Sequence, residues 1–443
     1  RQIGEKMNVS IPLYRNEHFY VITEPMKDLP TNLPVLRDYN NCLYLKEDAG
    51  KMLVGIFEPN AKPAFKDTGI VPENFSFGEL PDDFDHFEPY LKKSFHRLPM
   101  LENAGIRKFF SGPESFTPDT QYLLGETPEI KNFFTCCGFN SIGIASSGGA
   151  GRVTAEWMIN GHINEDLFSV DIKRFQQFHS SKKFIMERVT ETLGDLYGMH
   201  WPYKQHKTSR NQITLPYHEE LKKLGACFGS SGGFERPMWY SLNGAKAEYE
   251  YSFGYQNWYP SAEYETKNTR KNVGLFELTP FSKFDVAGEN VHDELQKLCT
   301  ANIKDVEGRS TYTQMLNEDG GIETDVTITC LTKNHFRIIG PAATREHDKF
   351  HIKKYLSEKI NFKDVTEDFA CLGLYGPNTR KLLSNISDDD FSNEGLKFSH
   401  GKKVNIDGID VWAQRLSYVG EIGFELYVNC LLYTSDAADE YDR

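Results

Sequence analysis

Apolar and polar residues alternate along the first part of the chain in the way that half-buried strands require. Residues 16–24 read NEHFYVITE, and a period of two places His18, Tyr20 and Ile22 on one face. This pattern predicts a strand with one face against a core and a polar aromatic face opposite.

A second pattern of the same kind predicts a hairpin beside that strand. Residues 42–57 read CLYLKEDAGKMLVGIF and turn near Gly50, with Cys42, Tyr44 and Lys46 on one face. The first sixty residues therefore predict part of an antiparallel sheet.

The rest of the first half predicts helices and strands in alternation. Residues 82–105 predict a helix interrupted near Pro89, residues 107–137 predict strands and turns, and residues 171–197 predict one amphipathic helix. Residues 195–215 are polar and predict a linker or surface loop.

A second unit is predicted from about Leu215 onward, with short helices and antiparallel strands. Its predicted helices are 217–226 and 290–303, its predicted strands are 310–316, 322–331 and 335–340, and 372–383 predicts a strand, a turn and a helix.

Composition and charge narrow the possible functions. The chain has 443 residues, 39% of them apolar, and a net charge of −13. This balance argues against a nucleic-acid or anionic-membrane binder, which needs clustered positive charge. No apolar run approaches the ~20 residues that span a bilayer, and no signal or transit peptide is visible. The eight cysteines follow no metal-binding or disulfide spacing, so we expect buried, reduced thiols and no metal site.

Residues 138–152, GFNSIGIASSGGAGR, predict a glycine-rich loop that leads into a helix. Such a helix start offers free N–H groups to an anion or a polar cofactor. The alternative is a helix packed closely on a sheet, with glycines for clearance. The loop contains no Gly-x-Gly-x-x-Gly, so it is not a dinucleotide fingerprint. The GSSGG at 229–233 is interpreted as a turn, because Pro237 soon after it is incompatible with the helix that a hydrolase elbow needs.

Three further features carry candidate chemistry, each with a structural alternative. His18 and Tyr44 could form one wall of a pocket, or a hydrogen-bonded pair in a sheet core. Asp325 could be a site acid or base, or a strand residue that faces solvent. Tyr418 and Glu425 are expected in one glycine-punctuated strand, YVGEIGFE, which could equally be a bulged structural strand.

Taken in order, these motifs resemble a known family. The pieces EHFYVITEP, GPESFTPDTQYLLGE and GFNSIGIASSGGAGRVTAEWM resemble the flavin domain of the FAD-dependent dimethylglycine and sarcosine dehydrogenases. GLFELTPFSKFDVAG, GGIETDVTIT, LGLYGPNTR and YVGEIGFELY resemble the glycine-cleavage T-protein (aminomethyltransferase) domain fused behind it. The fold class implied is α/β plus α+β: the C-terminal half of a D-amino-acid-oxidase-like FAD domain, followed by a folate-binding domain.

The resemblance implies four segments. These are a partial FAD-dependent oxidoreductase domain at 1–162, a central helical segment at 163–214, a partial aminomethyltransferase domain at 215–429, and a tail at 430–443 that resembles translated sequencing adapter. Both ends are expected to be truncated, with the Gly-x-Gly-x-x-Gly element upstream of Arg1, and the fragment alone is expected to be inactive.

The resemblance also implies roles for individual residues. His18 and Tyr44 would orient the substrate amine, and Asp325 would lie beside the reactive nitrogen of tetrahydrofolate. The residues expected to bind cofactors are Thr117, Pro118, Asp119, Gly138, Asn140, Ile142 and Gly143 for FAD, and Tyr418 and Glu425 for the pterin.

The implied function is flavin-dependent oxidative N-demethylation of a small N-methylated amino acid, with transfer of the one-carbon unit to tetrahydrofolate. The expected partners are that amine and an electron acceptor such as an electron-transfer flavoprotein, in bacterial cytoplasm or the mitochondrial matrix. Two alternatives stay open: a non-catalytic regulatory subunit of pyruvate dehydrogenase phosphatase type, and a folate-dependent aminomethyltransferase without a redox step.

Overall fold

The computed structural model describes residues 1–430, so the expected adapter tail lies outside the described residues except for Cys430. The chain forms two compact units. The first contains residues 1–201 and 206–209, and the second contains residues 202–205 and the chain from 210 onward.

The first unit is built on an antiparallel sheet. Its strands are β1 (Tyr14–Thr23), β2 (Leu36–Asp38), β3 (Leu43–Asp48), β4 (Lys51–Ile56), β5 (Ile106–Phe116), β6 (Leu123–Glu126) and β7 (Phe134–Cys137), and its helices are α1 (Gln2–Lys6), α2 (Phe84–Arg97), α3 (Gly143–Asn160) and α4 (Lys182–Gly194). Five strands pair in the order β2-β3-β4-β1-β5, and β6 pairs with β7.

Alternation decides which face of this sheet is buried. Phe19, Val21 and Leu43 face a core that is closed by Phe87 and Leu91 of α2. The predicted strand and hairpin are confirmed. The hairpin turns at Ala49 and Gly50, which both have positive φ, 51° and 75°, as a type I′ turn requires.

Two helix predictions in this unit are wrong. Helix α2 runs through Pro89 without a break, because its buried face packs on the sheet and outweighs the one hydrogen bond that proline removes. The helix predicted over 171–197 is instead two 3₁₀ turns, Ile172–Arg174 and Gln177–Ser180, followed by α4.

Up to residue 430, the second unit contains three sheets. Its strands are β8 (Ile213–Thr214), β9 (Ala226–Ser231), β10 (Phe234–Tyr240), β11 (Gly274–Glu277), β12 (Ser282–Ala287), β13 (Ser310–Leu316), β14 (Ile322–Thr332), β15 (His335–Gly340), β16 (Asn361–Asp364), β17 (Phe369–Tyr375), β18 (Gly401–Ile406), β19 (Ile409–Gln414) and β20 (Gly423–Asn429). Its helices are α5 (His218–Lys223), α6 (Tyr259–Lys271), α7 (Val291–Leu298), α8 (Arg345–Tyr355) and α9 (Thr379–Leu383).

Two of these sheets have five antiparallel strands, in the orders β11-β17-β20-β19-β18 and β13-β14-β15-β12-β16. The strands predicted at 310–316, 322–331 and 335–340 are confirmed as β13, β14 and β15. The turn predicted at GSSGG is also confirmed, because Gly232 and Gly233 join β9 to β10 and the following FERP continues as a strand.

One strand boundary in this unit differs from the prediction. Strand β20 begins at Gly423, so Glu425 lies in the strand and Tyr418 lies in the bend before it. Gly420, with φ of 80°, turns the chain away from extended backbone at that point.

The eight cysteines are free thiols, but the expectation that they are buried holds for only four of them, Cys42, Cys227, Cys330 and Cys371. Within residues 1–430, no helix is long and apolar enough to cross a membrane, and no cluster of three potential metal ligands occurs.

Candidate active site

A histidine and a tyrosine meet on the face of the first sheet that lies opposite its apolar core. Nε2 of His18 on β1 and Oη of Tyr44 on β3 are 2.8 Å apart. Their rings are stacked, with centroids 5.8 Å apart, and the Phe57 ring lies 4.8 Å from the imidazole. The His18 side chain is only 13% exposed. The structure therefore brings together the two residues that the sequence paired.

Both groups of this pair are held in the uncharged state. Burial lowers the pKa of His18 to about 4, and burial raises the pKa of the Tyr44 phenol. The pair can therefore exchange hydrogen bonds with an uncharged amine at neutral pH. It carries no positive charge that would repel a cationic amine.

A third polar residue on this face, Glu114 of β5, was missed by sequence reasoning. The register opposes Asn16 to Glu114 and His18 to Gly112, which places Glu114 on the same face as His18. Its Oε2 atom lies 3.8 Å from Nδ1 of His18. Burial raises the pKa of the Glu114 carboxyl. The alternation of side chains along β5 would place Glu114 on the His18 face only once the register of β5 with β1 is known.

Glu114 also connects this face to the start of the glycine-rich helix. The Ser141 hydroxyl donates to Oε2 of Glu114 at 2.5 Å, and α3 begins two residues later. No side chain caps that helix start at Ile142, so its first backbone N–H groups are available to a ligand.

The residues expected before and within the flavin loop form one hydrogen-bonded network. Oδ1 of Asn140 accepts the backbone N–H of Thr117 at 2.9 Å, and its Nδ2 donates to the carbonyl of Gly138 at 2.6 Å. The Thr117 hydroxyl donates to Asp119 at 3.2 Å. Gly138 has φ of 69°, and a Cβ there would lie 2.9 Å from the Thr117 methyl group. The loop is thus fixed to the end of β5.

The remaining flavin candidates differ in exposure. Pro118 is buried beside Thr117, and Ile142 is 40% exposed at the helix start. Farther along α3, a Cβ at Gly148, Gly149 or Gly151 would meet no atom within 4 Å. The start of α3 is uncapped, its backbone is open at three glycines, and the neutral His18–Tyr44 pair lies close to Glu114. These features fit a flavin, whose ring needs N–H donors at one edge and a flat apolar approach.

In the second unit, the carboxyl group of Glu425 is buried among tyrosines. Tyr427 donates to its Oε2 at 2.7 Å, and Tyr375 donates to its Oε1 at 3.3 Å. Burial raises the pKa of Glu425. Each oxygen keeps a lone pair for a further donor, so the group fits the adjacent N–H donors of a pterin.

Asp325 faces solvent from β14, which is one of the two alternatives that the sequence left open. Its Oδ2 accepts a hydrogen bond from the Tyr312 hydroxyl at 2.7 Å. Tyr418 is 86% exposed. Sequence reasoning missed Tyr312, which donates to Asp325, and Tyr375, which donates to Glu425.

Comparisons with known proteins match both units. Residues 1–157 match the family "FAD dependent oxidoreductase", residues 160–214 match "FAD dependent oxidoreductase central domain", and residues 217–433 match "GCVT N-terminal domain". These matches imply FAD and tetrahydrofolate as cofactors, as expected from the sequence.

Three curated relatives are similar over nearly the whole chain. The 4-methylaminobutanoate oxidase (formaldehyde-forming) of Paenarthrobacter nicotinovorans is 39% identical over 96% of this chain and 52% of its own length. The mitochondrial sarcosine dehydrogenase of Mus musculus is 32% identical over 96% and 50%. The mitochondrial pyruvate dehydrogenase phosphatase regulatory subunit of Mus musculus is 33% identical over 95% and 48%. The chain spans about half the length of the curated relatives it matches.

The matches confirm the resemblance that the motifs carried, in the same order along the chain. The chain thus joins an FAD-dependent oxidoreductase domain to a GCVT domain, and over at least 96% of its length it is similar to sarcosine and dimethylglycine dehydrogenases.

Proposed function

We propose that this chain is part of a flavin-dependent enzyme that oxidatively demethylates a small N-methylated amino acid. The observation that supports this most is the neutral His18–Tyr44 pair, which lies 3.8 Å from Glu114, and Glu114 in turn accepts a hydrogen bond from Ser141 just before the uncapped start of α3. An N-methyl amine donates hydride only when its nitrogen is unprotonated, because the lone pair must stabilise the developing iminium. Bound FAD would supply the hydride acceptor.

The chain's own residues would bind and orient the amine in this proposal. Tyr44 and His18 would hold the nitrogen by hydrogen bonds, with neither group carrying a charge at neutral pH. Thr117, Asp119 and Asn140 would keep the loop before α3 in place, so that its first N–H groups face the same cofactor edge in every turnover.

In the second unit, the proposal assigns the one-carbon step to the folate side. Glu425, with its tyrosine partners, would hold the amino-pyrimidine edge of tetrahydrofolate. Asp325, exposed and bonded to Tyr312, would lie beside the reactive nitrogen. A formaldehyde-forming relative favours a second outcome, in which the one-carbon unit leaves as formaldehyde. The electron acceptor would be a second protein, such as an electron-transfer flavoprotein.

A non-catalytic function is the rival that one comparison favours. A relative named as a phosphatase regulatory subunit is 33% identical over 431 residues, which is close to the 32% of a sarcosine dehydrogenase. A protein of that kind could keep the fold and the cofactor-like contacts without turnover. A folate-dependent aminomethyltransferase without a redox step is the third candidate.

The deciding experiment mixes the purified full-length flavoprotein anaerobically with sarcosine, dimethylglycine or 4-methylaminobutanoate. We expect one of the three to bleach the flavin absorbance in the stopped-flow spectrometer. Product analysis with and without tetrahydrofolate then separates 5,10-methylene-tetrahydrofolate from free formaldehyde. A purified protein without flavin, or a flavin that none of the amines reduces, would contradict the proposal and favour a regulatory or redox-independent protein.

A further inference from the structure

The Glu114 carboxylate lies on the candidate substrate face without a cationic partner. Its side chain is 31% exposed, and its Oε2 atom accepts from Ser141 at 2.5 Å. Within residues 1–430, the His18 imidazole is the only basic group within 4.0 Å of it. Because burial holds that imidazole neutral, the negative charge of Glu114 is not balanced among the described residues.

Two further aromatic residues, Tyr20 and Phe110, lie on the same face of the sheet as Glu114. Tyr20 and Phe110 stack with centroids 4.5 Å apart, beside the His18–Tyr44 stack. The register places Gly112 between Phe110 and Glu114 on β5, and a Cβ on that glycine would lie 2.7 Å from Cζ of Phe110. The absence of a side chain at Gly112 therefore lets the Phe110 ring extend towards Glu114.

A carboxylate that has no cationic partner and lies beside the faces of aromatic rings is the arrangement that binds methylated ammonium groups. The ring quadrupole attracts a cation within about 6 Å, most strongly where water is excluded. A substrate carboxylate placed here would instead meet a like charge, which raises the free energy of binding. The face thus discriminates between the two ends of an N-methylated amino acid.

We propose that Glu114 is a specificity-determining residue that binds the cationic methylammonium end of the substrate and keeps the substrate carboxylate away from β5. This inference rests on the proposed function. It assigns to Glu114 the orientation of the incoming amino acid, whereas His18 and Tyr44 hold the nitrogen once it has lost its proton.

The test compares two small carboxylate ligands, one with a cationic end and one with a neutral end, in the full-length flavoprotein. Trimethylglycine carries a permanent cation and cannot be oxidised through a free lone pair, and (methylthio)acetate replaces the cation by a neutral sulfur. If 4-methylaminobutanoate is the amine that reduces the flavin, the matched pair is its trimethylammonium and thioether analogues. Their Kd values are read from the perturbation of the flavin spectrum, so no turnover is needed.

We expect Glu114→Gln to raise the Kd of the trimethylammonium ligand about tenfold, the effect of losing one partly exposed charge contact, and to change the Kd of the thioether less than twofold. Glu17→Gln is the matched control, since Glu17 lies on β1 next to His18 and is opposed to Pro113 on the other face. Glu17→Gln should change neither Kd.

A second variant covers the case in which Glu114→Gln does not fold or loses FAD. Glu114→Asp keeps the charge. We expect the logarithm of the ratio of the two Kd values to keep at least half of its wild-type size in this variant. Equal changes in both Kd values in Glu114→Gln would overturn the inference and leave the proposed function standing. If only Glu114→Asp folds, loss of the discrimination in that variant, although it keeps the charge, would do the same. Wild-type protein that binds no flavin, or whose flavin no N-methylated amino acid reduces, would overturn both.

Discussion

A Cβ atom built on Gly55 would lie 2.0 Å from Cζ of Tyr44, so the phenol ring lies directly on the bare backbone of β4. Gly55 is the register partner of Tyr44 on one side and of Tyr20 on the other. The Tyr44 hydroxyl can reach His18 only because the strand between them has no side chain at this point.

Gly55→Ala should therefore move the Tyr44 ring. The new methyl group has no free space, and the displaced ring has to leave the imidazole. We expect the free energy of unfolding of the first unit to fall by about 1–3 kcal/mol, as for other overpacked sites. Urea denaturation followed by circular dichroism measures the change.

Gly149→Ala is the control for that substitution. A Cβ at Gly149 meets no atom within 4 Å, and the residue lies inside α3. Alanine should there stabilise the helix by about 0.5–1 kcal/mol. A similar loss in both variants would show that alanine is simply unfavourable at glycine positions of this unit, and would contradict the steric explanation.

Tyr44→Phe should slow flavin reduction in the full-length protein and leave its FAD content unchanged. The substitution keeps the stacked ring and removes only the hydroxyl that lies 2.8 Å from Nε2 of His18. Loss of one oriented hydrogen bond corresponds to a rate decrease of about tenfold. His18→Ala should act in the same direction.

The control for Tyr44→Phe is Tyr90→Phe, which removes a hydroxyl that Tyr90 of α2 donates to Asn60 at 3.0 Å. Stopped-flow absorbance gives the rate, and the ratio of flavin to protein absorbance gives the FAD content. Loss of FAD in Tyr44→Phe, with an unchanged reduction rate for the remaining flavin, would place Tyr44 on the cofactor side instead.

The sheet of the first unit could be predicted because its signal is local. A period of two along residues 16–24 and 42–57 fixes which side chains share a face, and antiparallel pairing then brings His18 and Tyr44 together. Glu114 could not be found in this way, because its position depends on the register of β5 against β1, which no short pattern encodes.

The folate-side residues show the same limit. Alternation places Asp325 on a strand but does not decide which face it occupies. The tyrosines that donate to Asp325 and Glu425 come from other strands, β13 and β17. Tyr418 was misplaced because glycines at 420 and 423 permit either a bulged strand or a bend. In the structure the chain bends at Gly420 and the strand starts at Gly423.

Asp325→Asn should leave flavin reduction unchanged and reduce the yield of 5,10-methylene-tetrahydrofolate, with formaldehyde rising in its place. Asparagine can still accept the hydrogen bond from Tyr312, and it removes the negative charge that the proposal places beside the reactive nitrogen. Asp410→Asn is the control, an exposed carboxylate at the β18–β19 hairpin. Slower flavin reduction with unchanged folate coupling would contradict the assignment.

Asp285 should make the second unit sensitive to acid. Burial alone would raise its pKa, but Nε and Nη2 of Arg337 donate to it at 2.7 and 2.9 Å and the pKa falls to about 2. A lowered pKa stabilises the fold above the unfolded value, near 3.8, and that stability is lost as pH falls towards 2. The shift corresponds to about 2 kcal/mol.

Asp285→Asn should therefore lower the free energy of unfolding at pH 7, and the difference from the wild type should shrink as the pH falls from 5 to 3. Chemical denaturation at each pH measures it. A difference that stays constant with pH would mean that Asp285 acts through packing and not through its charge.

Glu425 should have the opposite pH dependence. Burial raises the pKa of its carboxyl in the folded state, so the folded form holds its proton while the unfolded chain releases one near the ordinary value. The stability that this proton provides is complete below the unfolded pKa and is lost as pH rises towards the folded pKa. Glu425→Gln has no proton to lose. Relative to this variant, the wild type should become less stable as the pH rises above the ordinary carboxyl pKa of 4.5.

Hydrogen exchange of the β20 amides, read by mass spectrometry on a peptide that covers Gly423–Asn429, reports this difference locally. Glutamine can accept from Tyr427 and Tyr375 through one oxygen only, so a constant loss of protection is expected in addition. The test is whether the difference in protection between the wild type and Glu425→Gln rises or falls with pH. If protection in the wild type rises relative to Glu425→Gln from pH 4 to pH 7, the carboxylate is ionised and stabilised in the folded protein. The site would then present two acceptor oxygens to the adjacent N–H donors of a pterin without first losing a proton.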